Sequence, residues 1–169
     1  GQAIGEALIL DTTKHLNGLL EFDAEARTAC VQPGMVLDHL NRFLKPHGLF
    51  YPVDVSTANR ATLGGMTGNN SCGSRSIRYG NMVHNVLAID GLLADGSQVH
   101  FKTLRDRQLT DEDPAQIGLL KKMLALGDRE AQEIAQRFPD LLRRVGGYNI
   151  DVLTQQNPNM SHLLVGSEG

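Results

Sequence analysis

The sequence predicts an α+β fold, a mostly antiparallel sheet covered by helices. Short runs of alternating apolar and polar residues stand in neighbouring pairs around turn-forming residues, as hairpins do. Amphipathic helical stripes occur apart from them, and the two kinds of segment do not alternate as β-α-β units, which disfavours a doubly wound parallel sheet. The 169 residues suit one domain or two small subdomains. A hydrophobic content of 41% with 21% charged residues is ordinary globular composition and supports a sizeable core.

Taken in order, EALILD at residues 6–11 reads as a short strand ending in a turn. Residues 19–23 and 28–32 alternate around Asp23-Ala-Glu-Ala and predict a hairpin. Pro33-Gly34 punctuates. Val36, Leu40, Phe43 and Leu44 then share one helical face, with Pro46 and Gly48 as stops. Residues 86–94 and 97–101 flank Asp95-Gly96, a strong two-residue hairpin signal. Asp113 precedes Pro114 as an N-cap, with Gln116 spaced for a capping box. Ile117, Leu120, Met123 and Leu124 predict a helix that stops at Gly127. Ala131, Ile134, Ala135 and Phe138 predict a second helix, from Asp128 to Pro139. Residues 162–165 read as a last strand.

Several function classes are disfavoured. A net charge of −3 carries no basic field for nucleic acid. No apolar run approaches the ~18 to 20 residues of a membrane span. Cys30 and Cys72 form no C-x-x-C pair, so a reducing, cytoplasmic setting fits better than a disulfide framework. The six His are scattered without zinc spacing, and no metal site is expected. GNNSCGS at residues 68–74 has Walker-type glycine spacing but Arg75 stands where the Lys is needed. No G-x-G-x-x-G or G-x-S-x-G occurs.

The segment that bears on function is PVDVSTANRATLGGMTGNNSCGSRSIRYG, residues 52–80. Its Gly, Asn, Ser and Thr content reads as neither a helix nor a core strand. Such a segment presents backbone N–H groups to a ligand. Gly64-Gly65 would let the main chain touch a flat ring, and Thr62, Thr67, Asn69, Asn70 and Ser71 can bond heteroatoms of either polarity. The plain alternative is a long irregular surface loop.

These residues resemble the second flavin-contacting loop of the FAD-linked oxidase family, the vanillyl-alcohol oxidase and para-cresol methylhydroxylase type. That family shows a P-x-D or P-D-P turn, a T-I-G-G-M-x-x-x-N-x-x-G run, Y-G, and a strand ending in D-G. The matching positions are Pro52 and Asp54, Thr62 to Met66, Asn69 or Asn70, Gly73, Tyr79-Gly80, and Asp95-Gly96. Downstream, Gly147-Tyr148-Asn149 and Val165-Gly-Ser-Glu-Gly169 resemble the family's G-Y-N and V-G-S-E-G-T elements. Residues 110–144 are most similar to the large 2-hydroxyacid dehydrogenases acting on glycolate, D-lactate or D-2-hydroxyglutarate.

The resemblance implies a PCMH-type FAD-binding domain. Residues 1–50 would be the remainder of a first flavin subdomain. Residues 51–169 would be the second, with a helical insert near 110–145. Pro52, Asp54, Ser56, Thr57, Thr62, Gly64, Gly65, Met66, Asn69, Asn70, Gly73, Tyr79, Gly80 and Val165 are then expected around the cofactor. Gly1-Gln2-Ala3 resembles the tail of the family's phosphate-binding loop. The stretch is therefore expected to be an N-terminally truncated fragment that binds FAD weakly or not at all by itself and is catalytically silent. The implied reaction of the longer protein is hydride transfer from a D-2-hydroxy acid to flavin N5. Electrons would pass to a quinone, cytochrome or iron–sulfur acceptor, and the resemblance also admits a membrane-peripheral setting. The family's proton-abstracting residues lie beyond V-G-S-E-G, so no catalytic residue is assigned. Its flavin-linked His lies in the first loop and its cysteinyl attachment near Ala58, so neither His84 nor Cys72 is expected to carry flavin. Strand edges left without partners would favour self-association. The alternatives are a UDP-sugar reductase or alditol oxidase on the same domain, or a non-enzymatic binding domain.

Overall fold

In the computed structural model, residue 6 and residues 8–141 and 143–168 are described. Gly1-Gln2-Ala3 therefore lies outside the described residues. The fold is α+β, but the strands form two separate antiparallel pairs rather than one covered sheet. Among the described residues, 8–11 form no strand.

The first hairpin pairs β1 (Leu19–Asp23) with β2 (Thr28–Val31). Asp23 sets the turn locally, since its Oδ1 accepts from the N–H of Glu25 at 2.9 Å and of Ala26 at 2.8 Å. Helix α1 (Leu37–Leu44) follows, and buries Leu37, Leu40 and Leu44 on one face. These join Met35, Val53, Leu63, Met66, Met82 and Val165 in one core cluster.

Residues 52–80 depart from the loop expected. They contain helix α2 (Leu63–Gly68) and one-turn helix α3 (Ser76–Tyr79), and α4 (Met82–Asn85) follows. Composition hid α2 because its helix comes from tertiary packing. Leu63 and Met66, three apart, fall on one buried face, and the Thr62 hydroxyl caps the first turn. Gly64 is a packing residue: a Cβ there would stand 2.7 Å from Pro33 Cβ and 2.9 Å from Pro33 O.

Strand β3 (Ile89–Leu92) pairs with β4 (Gln98–Phe101). The connection is a three-residue loop, not a two-residue one. Gly96 N–H bonds Leu93 O and Leu93 N–H bonds Ser97 O, both at 2.9 Å, and Gly96 takes φ +83°. A turn followed by a left-handed Gly is the usual three-residue solution. Past β4, residues 102–104 are bridged by 158–160: Met160 N–H bonds Lys102 O and Leu104 N–H bonds Pro158 O, both at 2.9 Å.

Helix α5 (Pro114–Arg137) is continuous over 24 residues, so the stop expected at Gly127 is absent. Gly127 instead lets the helix press on the 3-10 turn Ile150–Thr154, where a Cβ would meet Leu153 Cβ at 2.5 Å. Asp113 caps the helix through Ala115 N–H at 2.8 Å. Gln116 makes no capping box. Its Oε1 accepts from His100 N–H at 2.9 Å and its Nε2 donates to His100 O at 3.3 Å and to buried Glu112 at 2.7 Å. The strand expected at 162–165 is a 3-10 turn, Met160–Leu163, followed by further turns. A short apolar run does not by itself separate strand from helix. A second core cluster gathers Val99, Phe101, Leu104, Leu120, Leu124, Val152, Leu153, Met160 and Leu163.

Candidate functional site

A cleft of about 280 Å³ opens beside α2, lined by Val55, Thr57, Arg60, Ala61, Thr62, Gly65, Met66, Asn69 and Ser71. Of the residues expected at a cofactor, Thr57, Thr62, Gly65, Met66 and Asn69 meet there. Gly65 is exposed, and a Cβ on it would touch only Thr62 Oγ1, at 3.1 Å. Val55, Arg60 and Ala61 were not singled out by the sequence. Arg60 was findable, as the sole cation between Pro52 and Gly65.

The backbone of α2 offers no phosphate cradle. Leu63 N–H bonds Met35 O at 2.8 Å, Gly64 N–H bonds Pro33 O at 2.8 Å, and Met66 N–H bonds Thr62 O at 2.8 Å. Gly65 N–H goes to Thr62 Oγ1 at 3.3 Å. All the donors of the first turn are therefore satisfied within the chain, unlike the free N–H groups of an anion site.

The remaining expected residues lie outside the cleft lining. Asn70 is fully buried at φ +47°, and its amide ties three segments together. Its Oδ1 accepts from Val83 N–H at 3.0 Å, and its Nδ2 donates to Arg144 O at 3.2 Å. Val165 is buried in the first core cluster. Asp54 accepts from the Ser74 hydroxyl at 2.8 Å and from Arg75 N–H at 3.0 Å. Burial works against its ionisation, but these two hydrogen bonds, one from its own backbone and the charge of Arg75 together outweigh it and lower the pKa of the carboxyl from its ordinary value. Gly73 packs on Asp54, where a Cβ would run into its carbonyl and carboxylate oxygens, and Gly80 packs on His84. Pro52 is half-buried beside buried Val53, and Ser56 is exposed in the turn that follows. Tyr79 sits edge-on to Phe50 with ring centroids 5.8 Å apart.

The downstream motifs converge on the same wall. Gly166 N–H bonds Thr67 O at 2.9 Å and Glu168 N–H bonds Gly68 O at 3.0 Å, fastening the V-G-S-E-G element to the end of α2. Asn149 of the G-Y-N element donates to Val165 O at 2.7 Å and to His162 O at 3.2 Å. Arg144 binds Asn149 Oδ1 at 3.2 Å and Asp151 at 2.7 Å, while its guanidinium lies 4.8 Å from the Phe138 ring centre. The more distant ties of this residue are through its carbonyl, which accepts from Asn70 Nδ2 at 3.2 Å and Asn81 Nδ2 at 3.4 Å.

Among the described residues no group of His, Cys, Asp and Glu is arranged to hold a metal, and no helix is long and apolar enough to cross a membrane. The cleft is thus lined by apolar side chains, neutral hydroxyls and amides, an exposed glycine backbone and one cation. The family described as FAD binding domain matches residues 1–102, and the chain belongs to it. D-2-hydroxyglutarate dehydrogenase of Pseudomonas putida is 34% identical over 174 residues, covering 100% of the chain and 17% of that protein. The glycolate oxidase subunit GlcD of Bacillus subtilis is 41% identical over 83 residues, covering 49% of the chain and 18% of that protein. A mitochondrial D-lactate dehydrogenase [cytochrome] of Kluyveromyces lactis is 34% identical over 98 residues, covering 58% of the chain and 17% of that protein. The chain thus spans about a sixth of the length of the curated relatives it matches.

Proposed function

We propose that this chain is part of the FAD-binding domain of a flavin-dependent dehydrogenase that oxidises a D-2-hydroxy acid to a 2-oxo acid. The observation that carries the reading is the exposed backbone of Gly65 in the α2 wall. A side chain there would project over the cleft, and the rest of the lining is chemically neutral except for Arg60. Such a lining fits a flat heteroaromatic ring. At about 280 Å³ the cleft lies just below the range of complete small-molecule sites, so it would hold a portion of a dinucleotide. Bound FAD would supply a hydride acceptor at N5. Thr57, Thr62, Asn69 and Ser71 would bond ring heteroatoms, Val55, Ala61 and Met66 would exclude water, and Asn70, Arg144 and Asn149 would hold the wall in place. Pro52, Asp54, Ser56, Gly64, Gly73, Tyr79, Gly80 and Val165 would support the site by shaping the segments around it. Electrons would leave to a quinone, cytochrome or iron–sulfur acceptor.

The substrate class is supported by what the relatives are named for: D-2-hydroxyglutarate, glycolate and D-lactate, all 2-hydroxy acids. The Pseudomonas putida D-2-hydroxyglutarate dehydrogenase aligns through α5 and the G-Y-N and V-G-S-E-G elements to cover the whole chain, which makes D-2-hydroxyglutarate the first substrate to try. The test is purification of the full-length protein that contains this chain. Visible flavin absorbance, a thermal shift with added FAD, and reduction of the flavin by D-2-hydroxyglutarate are expected. Colourless protein with no FAD-induced shift would sink the flavin reading. A yellow protein reduced by no D-2-hydroxy acid would sink the substrate reading alone.

A further inference from the structure

The cleft beside α2 carries a single ionisable side chain, Arg60, among apolar and neutral neighbours. Arg60 is exposed, and its Nη1 donates to the neutral Oδ1 of Asn59 at 3.0 Å. Among the described residues its guanidinium is in no ion pair with a carboxylate. A guanidinium has five donors and never loses its charge at physiological pH, so most of its capacity remains available to a ligand.

A guanidinium can grip a phosphate, but the backbone beside Arg60 adds nothing to such a grip, since the first-turn donors of α2 are all bonded within the chain. On the flavin reading above, the group in the cleft is instead a ring whose charge depends on its oxidation state. Oxidised isoalloxazine is neutral. Uptake of a hydride, two electrons and one proton, leaves a negative charge shared between N1 and the C2 carbonyl oxygen.

We propose that Arg60 pairs with this charge, so that the cleft holds reduced flavin more tightly than oxidised flavin and raises the cofactor's midpoint potential. The ratio of the two affinities and the shift in potential are one quantity seen from two sides. A tenfold preference for the reduced form corresponds to about 30 mV for a two-electron couple.

The experiment compares the full-length protein with its Arg60→Gln and Arg60→Lys variants by spectroelectrochemical titration and by FAD binding. Arg60→Gln should lower the midpoint potential by about 30 mV, that is, lose about tenfold in preference for reduced flavin. Its Kd for oxidised FAD should stay within about twofold of wild type, and Arg60→Lys should recover most of the potential, because charge rather than geometry carries the effect. An unchanged potential overturns the proposal. Equal weakening of both oxidation states also overturns it, since that is the signature of a grip on the diphosphate. Wild-type protein that takes up no flavin overturns both this proposal and the flavin reading, and is distinguished by leaving no potential to measure.

Discussion

Adjacent glycines in α2 have opposite roles at the residue scale. Gly64 faces Pro33 at less than contact distance for an added carbon, whereas Gly65 faces open space beyond Thr62. Gly64→Ala should therefore destabilise the fold by about 1–3 kcal/mol, the usual cost of overpacking, read as a lower urea midpoint. Gly65→Val should leave the far-UV spectrum of the full-length protein largely intact while abolishing flavin retention. Yellow Gly65→Val protein would mean that the cleft is not the ring site. Asn70→Ala should cost about 1–3 kcal/mol, because Val83 N–H loses its acceptor and Arg144 O keeps only the longer bond from Asn81 Nδ2, at 3.4 Å. A chemical denaturation curve superimposable on wild type would contradict that. The sequence displayed the glycines and asparagines but not their directions. Whether Asn69 or Asn70 faces the cleft depends on the left-handed backbone at Asn70, which turns its amide inward toward segments far along the chain.

Elements governed by local chemistry were legible in the sequence. The Asp23 turn and the Asp113-Pro114 start of α5 needed no knowledge of distant residues, whereas the α1 stripe was legible in part: Leu40 and Leu44 are buried, but Val36 stands at the N-cap, Phe43 is exposed and Leu37 fills the face instead. The continuous run of α5 through Gly127 was hidden, because the glycine answers to Leu153 on another segment. The same helix offers an internal comparison. Gly118 is exposed with nothing within 4 Å of a Cβ, and Gly127 is buried against the 3-10 turn Ile150–Thr154. Gly118→Ala should raise stability by about 0.5–1 kcal/mol through helix propensity alone, and Gly127→Ala should lower it by about 1–3 kcal/mol. Thermal melts of the two variants moving in the same direction would refute this account of α5. Arg107 adds to that contact by donating to Leu153 O at 2.6 Å and pairing with Asp128 at 2.6 Å.

The whole molecule should lose stability on mild acidification, with His162 as one source. Burial lowers its pKa below the ordinary 6.5, with neighbouring His84 adding to the shift, while the hydrogen bond to Val86 O and the charge of Asp151 oppose it. Above about pH 6.5 neither the folded nor the unfolded chain protonates this ring, and its contribution is fully present. As pH falls below that value the unfolded chain takes up the proton first, so stability declines until the folded value is passed. The drop in Tm between about pH 7.5 and about pH 5.5 should be smaller in His162→Gln than in wild type, and equal drops would exclude His162 as a source. Leu8, Ile9 and Leu10 are 88%, 66% and 78% exposed, a run of apolar surface that we propose drives self-association of the isolated chain. A monomeric sedimentation profile at high concentration would count against it. The placement of Gln116 limits how this chain can be built into anything larger. Its amide meets both peptide groups of His100 that an added strand would seek, and residues 158–160 take the positions further along the same border. A strand added along His100 and residues 102–104 would therefore have to displace Gln116 or residues 158–160 first.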